Sequence, residues 1–182
     1  MAKRGIDSFK ANITGVYYSN LYEVLITQPP FPIEEAPGGL SFGNDTGLLC
    51  LTAEAVNMPG RTLDVVAQGG SRYPSYEIPV GYKNEDVTIT YMLTSGYKVR
   101  QFFETWITNI VNYDTYLLSY PDKYTTTVEI RQLDNQHEAI YTCTLNEAYP
   151  KNITNISFAS TSTEYTKFDV VFAYRNYHTE TI

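Results

Sequence analysis

The sequence predicts a mainly β fold, an antiparallel β-sandwich or barrel with one packed α-helix. Three observations carry that expectation. Period-two alternation recurs along the chain, most clearly at Val87, Ile89, Tyr91 and Leu93 and at Phe168, Val170, Phe172 and Tyr174, the pattern of strands with one buried face. Pro and Gly cluster between these runs, as turn formers do. Only residues 96–112 carry a helical stripe, on which Phe102, Phe103, Trp106 and Ile110 return to the same face.

Taken in order, residues 1–20 lack a sustained period and read as an N-terminal arm. A strand at Leu21 to Thr27 stops at Gln28-Pro29-Pro30-Phe31-Pro32, where missing N–H donors end pairing. A long Pro/Gly loop follows over residues 28–47. Leu48 to Val56, which contains Cys50, reads as a strand closed by Met58-Pro59-Gly60. Strand-like runs at Leu63 to Ala67 and Tyr76 to Val80 flank Gly69-Gly70 and Tyr73-Pro74, and Asp86 to Leu93 alternates between polar and apolar faces.

Thr94-Ser95-Gly96 offers a hydroxyl N-cap to the helix. Burial of each aromatic on the stripe is worth roughly 1.5–3 kcal/mol, which places Trp106→Ala among the most damaging single changes. Downstream, Tyr124 to Leu133 and Glu138 to Asn146 form a hairpin about Asp134-Asn135, which Tyr149-Pro150 ends. A short strand at Ile156 to Ala159 and a last strand at Thr166 to Tyr177 complete the series, and residues 176–182 form a C-terminal tail. The 182 residues contain no repeat or linker and are expected to fold as one domain.

Composition narrows the function. Charged residues make up 18% of the chain and tyrosines number 17; aromatic enrichment with charge depletion marks surfaces that partners cover. The net charge is −7, which disfavours phosphate recognition, because nucleic-acid affinity comes mainly from Lys and Arg. No long apolar run suits a membrane span. The N-terminal residues lack the apolar stretch of a signal peptide, so the expected compartment is the cytoplasm, where Cys50 and Cys143 would stay reduced.

The inventory for catalysis is empty. His137 and His178 have no His or Cys at metal-ligand spacing, and CxxC, Gly-X-Ser-X-Gly and phosphate-loop patterns are missing. Glu34-Glu35 lies in the Pro/Gly loop, without the burial that separates two carboxyl pKa values. The expectation is a non-enzyme with no cofactor and no metal.

One ordered set of motifs is specific. It runs from Asn20-Leu21-Tyr22-Glu23-Val24 through Cys50, Met58-Pro59-Gly60-Arg61, Ile78-Pro79-Val80-Gly81-Tyr82 and Asp86-Val87-Thr88-Ile89-Thr90 to Phe103-Glu104-Thr105-Trp106. It continues through Val128-Glu129-Ile130-Arg131-Gln132-Leu133 and Ala148-Tyr149-Pro150 to Phe168-Asp169-Val170-Val171-Phe172-Ala173-Tyr174. Across residues 20–177 this order resembles the tail tube, or inner tube, protein of contractile-tailed bacteriophages. The 28–47 loop is longer than the resemblance leads one to expect.

The resemblance implies hexameric rings stacked into a hollow tube inside a contractile sheath, the conduit for DNA ejection. The implied partners are further copies of the chain, the sheath protein, and baseplate and tail-terminator proteins, with DNA passing through the lumen without specific binding. The implied location is the tail of a virion assembled in the host cytoplasm, with no membrane insertion. Alternatives are a baseplate tube-initiator, the inner tube of a headless contractile injection system and, more remotely, a carbohydrate-binding β-sandwich. The irregular segments are assigned to ring-to-ring contacts: the arm with Lys3, Arg4 and Phe9, the loop from Gly60 to Pro79 with Arg61, Tyr73 and Tyr76, and the tail with Tyr177.

Overall fold

The computed structural model describes residues 18–31, 46–69, 74–156, 158 and 165–182. Nine strands and two α-helices are present among them. The strands are β1 (Tyr22–Ile26), β2 (Ala53–Val56), β3 (Arg61–Gln68), β4 (Tyr76–Asn84), β5 (Val87–Met92), β6 (Thr126–Leu133), β7 (Ala139–Ile153), β8 (Lys167–Ala173) and β9 (Asn176–Thr181). The helices are α1 (Thr46–Thr52) and α2 (Lys98–Ile110).

The fifteen-residue strand β7 organises the architecture. Its first half pairs with β6 on one side and β9 on the other; its second half pairs with β8, which continues through β5 to β2. All pairings are antiparallel. The change of partner falls at Glu147, whose φ of 52° puts a non-glycine residue in the left-handed region and kinks the strand as a bulge does. One long strand thus serves two sheets, β1-β6-β7-β9 and β7-β8-β5-β2.

Both sheets feed one core. Val24, Val128, Ile130, Cys143 and Leu145 come from the first; Val87, Ile89, Tyr91, Phe168, Val170 and Phe172 from the second. The buried face of α2 adds Val99, Phe102, Phe103 and Trp106, while Ile110 is only partly buried. Trp106 is fully buried, stacks on Phe103 at 6.3 Å, and donates its indole N–H to the Tyr124 carbonyl at 2.8 Å. Phe172 and Phe31 complete its surroundings at 6.2 and 6.1 Å.

Several sequence expectations need correction. The run from Leu48 to Val56 is not one strand: residues up to Thr52 form α1, Cys50 included, and only Ala53–Val56 pair with β5. A short apolar run cannot be told apart by periodicity alone. Here Leu49 and Thr52, three apart, are buried and Leu51 is 82% exposed, while the Thr52 hydroxyl donates back to the Leu48 carbonyl. A second helix therefore joins the one that was expected.

Neither Thr94 nor Ser95 caps α2. The cap is Tyr97 at φ 55°, with no side-chain hydrogen bond, and the entry turn is closed by Tyr97 N–H donating to the Thr94 carbonyl. Gly96, at φ 83°, makes that turn possible. Tyr149-Pro150 does not end β7; Pro150 sits at a register shift between Pro150 and Asn152, where its missing donor is tolerated.

The expected last strand divides at Tyr174-Arg175 into β8 and β9, so residues 176–181 are a strand and not a tail. The segment from Gly60 to Pro79 is largely hairpin, not loop, and β4 passes through Gly81 to Asn84. Ile156 and Phe158 lie outside strands, while Ser157 and Ala159 fall outside the described residues. Most of the 28–47 loop is also outside them.

Candidate assembly surfaces

The hairpin β3–β4 forms a two-stranded sheet of its own, joined to no other strand among the described residues. All of β3 is exposed, and so is most of β4. A two-stranded ribbon is marginal in water unless something packs on it. The ribbon is nevertheless rich in apolar groups: Leu63, Val65, Val66, Tyr76, Val80 and Tyr82 are all largely exposed, Val80 at 65%.

Its register spreads those groups over both faces. Leu63 pairs with Tyr82 and Val66 with Ile78, and a register shift between Asp64 and Val65 leaves Val80 unpaired between Pro79 and Gly81. Leu63 and Val66 are three positions apart on β3 and so face opposite ways. The extra residue on β4 lets Tyr82 follow Leu63 and Ile78 follow Val66. One face therefore presents Leu63 and Tyr82 to solvent, and the other presents Val66 beside the half-buried Ile78.

The root of the ribbon is tied to the body by several contacts. The Arg61 guanidinium lies over the Tyr82 ring at 5.1 Å and over the Tyr177 ring, on β9, at 4.8 Å. Tyr174 donates its hydroxyl to the Glu85 carbonyl at 2.6 Å and packs edge-on against Tyr177 at 6.1 Å. Lys151, on β7, bonds Asp86 at 2.6 Å. Burial, with the neighbouring Tyr177 next, pushes the Tyr174 phenol up to about 12. The hydrogen bond to Asp86 raises Lys151 above its ordinary value.

Sheet edges form a second kind of surface. β9 pairs only with β7 and β1 only with β6 among the described strands, so each leaves one side of its backbone open. Ile182 donates to the Ile140 carbonyl; by alternation the N–H groups of Tyr177, Thr179 and Thr181 point away from β7. A third surface follows α2, where Tyr116, Leu118 and Tyr120 are 82%, 74% and 75% exposed.

The seven residues assigned from sequence to ring contacts divide as follows. Arg61 and Tyr177 meet within one subunit, and Tyr76 stands at the far end of the ribbon opposite Gln68. Lys3, Arg4, Phe9 and Tyr73 lie outside the described residues. Within the assigned segment from Gly60 to Pro79, Leu63, Val66 and Ile78 were not singled out, and Val80 and Tyr82 lie just beyond it. Their signal was present in the two apolar runs on either side of Gly69-Gly70, but the second was taken to end at Val80, ahead of Tyr82.

No arrangement among these residues suits catalysis. A cleft of about 330 Å³ between β1, β2 and β6 is lined by Leu21, Tyr22, Val56, Met58 and a single acid, Glu54. That acid accepts from Lys167 at 2.5 Å and from Tyr165 at 2.7 Å, and the Lys167 bond first, then the Tyr165 bond, hold its pKa below the ordinary value. Among the described residues no three His, Cys, Asp or Glu side chains are grouped to hold a metal, and no helix is long and apolar enough to cross a membrane.

Comparison with known proteins agrees with this geometry. The sequence profile of the phage tail tube protein family matches residues 17–180. The chain belongs to that family. Its members are structural tube proteins and not enzymes. The fold is similar to a chain of the extended-state sheath–tube complex of the PVC extracellular contractile injection system, with a TM-score of 0.64 at 12% identity over 98% of this chain and 100% of that one.

A chain of the anti-feeding prophage baseplate is similar at a TM-score of 0.64 and 13% identity, covering 93% of this chain and 98% of that one. An Hcp protein matches at 0.50 and 16% identity over 88% of this chain and 89% of that one. No curated protein matches by sequence. At these identities the likeness establishes a shared tail-tube fold.

Proposed function

We propose that this chain is the repeating subunit of a phage tail tube, a single tube-building domain that closes into hexameric rings through its sheet edges and stacks them through β3–β4. The observation that carries the reading is the ribbon, an exposed hairpin with apolar pairs on both faces. Such a surface is a liability in a monomer and is explained when neighbouring copies cover it. Pairing along β1 and β9 would close the ring, since a rotation that returns on itself leaves no edge free.

The tube would lie inside a contractile sheath, begin at a baseplate and end at a terminator, as part of a virion tail assembled in the host cytoplasm. Chains of fold-sharing systems come from a sheath–tube complex and a baseplate. DNA would pass through the lumen without specific binding, consistent with a net charge of −7. The likeness to PVC and anti-feeding prophage chains favours a second reading, the inner tube of an injection system without a DNA-filled head. Neighbouring genes for capsid proteins distinguish the first from the second.

Electron microscopy of the purified chain tests the assembly. Rings and hollow tubes are expected, and a protein that stays monomeric at high concentration overturns the reading. Val66 is exposed and has no core role, so Val66→Asp should leave the melting temperature within the range of a surface change, about 0.5 kcal/mol or less, yet stop tube growth.

A further inference from the structure

Among the described residues, Arg61 is the one side chain of β3 that joins the ribbon to β9, and its guanidinium lies over two aromatic rings, one from β4 and one from β9. Its guanidinium is 5.1 Å from the Tyr82 ring on β4 and 4.8 Å from the Tyr177 ring on β9, and its Nε donates to the Asn84 Oδ1 at 3.4 Å. A planar cation in contact with two ring faces restrains their separation and relative orientation, which a point charge such as Lys does less well.

The remaining ties at the root act on the chain just after β4. Tyr174 holds the Glu85 carbonyl, Lys151 holds the Asp86 carboxylate, and the Glu85 N–H closes onto the Gly60 carbonyl at 3.0 Å. These contacts fix where the ribbon leaves the body. They act on Glu85 and Asp86, outside the paired strands, whereas the Arg61 contacts engage β3 and β4 themselves, at Arg61 and Tyr82.

We propose that Arg61, in contact with Tyr82 and Tyr177, is a positioning residue for assembly: it aims the β3–β4 ribbon from the edge strand β9 so that the ribbon is pre-oriented to meet the next ring. Pre-orientation lowers the ordering cost of association. Because Tyr177 belongs to an edge strand, the surface that closes a ring and the ribbon that stacks rings share one side-chain contact. The inference rests on the reading of the ribbon as a ring-to-ring contact, and the experiment separates the two.

Tube growth is measured by electron microscopy and light scattering for Arg61→Ala, Tyr177→Leu, Tyr177→Phe and Val66→Asp, alongside melting temperature and amide hydrogen exchange in the unassembled protein. Arg61→Ala, which loses both cation–π contacts, should raise the concentration needed for tube growth about tenfold, and Tyr177→Leu, which loses one, about threefold. Both should speed exchange in β3 and β4, and Arg61→Ala should keep the parent's melting temperature, since Arg61 is exposed while Tyr177 also packs on the core. Tyr177→Phe retains the ring face and should grow tubes like the parent. Unchanged growth in Arg61→Ala and Tyr177→Leu overturns the inference, and so does equal failure of Tyr177→Phe, which would mean a merely structural role for Tyr177. If Val66→Asp also grows tubes normally, the ribbon's stacking role itself falls; if Val66→Asp fails while Arg61→Ala grows, only the aiming role falls.

Discussion

Trp106 meets two demands at one position. Its ring is fully buried among Phe31, Phe102, Phe103 and Phe172, and its indole N–H satisfies the Tyr124 carbonyl that precedes β6. Trp106→Ala should cost about 3–5 kcal/mol through cavity formation. Trp106→Phe should cost less, about 1–3 kcal/mol, chiefly from the orphaned carbonyl. Urea denaturation of unassembled protein checks both, and a Trp106→Phe variant as stable as the parent would show that the hydrogen bond is negligible. Tyr174 gives a pH signature. Its phenol titrates near 10 when unfolded and about 12 when folded, so its contribution is complete below pH 10 and is lost as pH rises through about 12. Tyr174→Phe should therefore flatten the fall in stability between pH 10 and 12, measured by thermal melts across that range; an unchanged slope would exclude Tyr174 as its source.

Elements differ in how plainly the sequence announces them. β5 and β8 alternate strictly because one face is buried, and their pairing of Val87 with Phe172 and Tyr91 with Phe168 follows from the residues that alternation selects. The stripe of α2 is equally legible. α1 is not, since five residues from Leu48 to Thr52 suit either geometry and only contact with β1 and the core decides. β9 was hidden for another reason: Asn176 to Thr181 is polar and exposed, so no apolar pattern marks it, and its place is fixed by backbone pairing to β7. The candidate surface was half legible. Arg61 and Tyr177 were picked out, but that they face each other depends on a pairing between distant segments that no local pattern encodes. The N-cap of α2 offers a local test. Tyr97 holds φ at 55° without a capping side chain, a region where Asn is less strained than Tyr. Tyr97→Asn should raise stability by about 0.5 kcal/mol, read from the shift in urea midpoint; a loss would mean that the partly exposed ring makes contacts worth more than the strain.

At the scale of the whole molecule, the two sheets that share β7 leave a chain whose core is complete and whose edges are not. The core aromatics are buried within the subunit, whereas β1, β9 and the ribbon present backbone donors or apolar faces outward. Stability and assembly therefore draw on different residues, and a substitution should be able to remove one and spare the other. Thr179 provides the cleanest case. It is exposed, it pairs with Cys143, and alternation from Ile182 directs its N–H away from β7. Proline there removes an outward donor and leaves the inward ladder of β9 in place. Thr179→Pro should fold with a core indistinguishable from the parent by near-ultraviolet circular dichroism. It should sediment as a monomer at concentrations where the parent forms rings, because the lateral edge can no longer complete a neighbour's sheet. Rings of normal size from this variant would mean that β9 does not make the lateral contact and that ring closure runs through another surface.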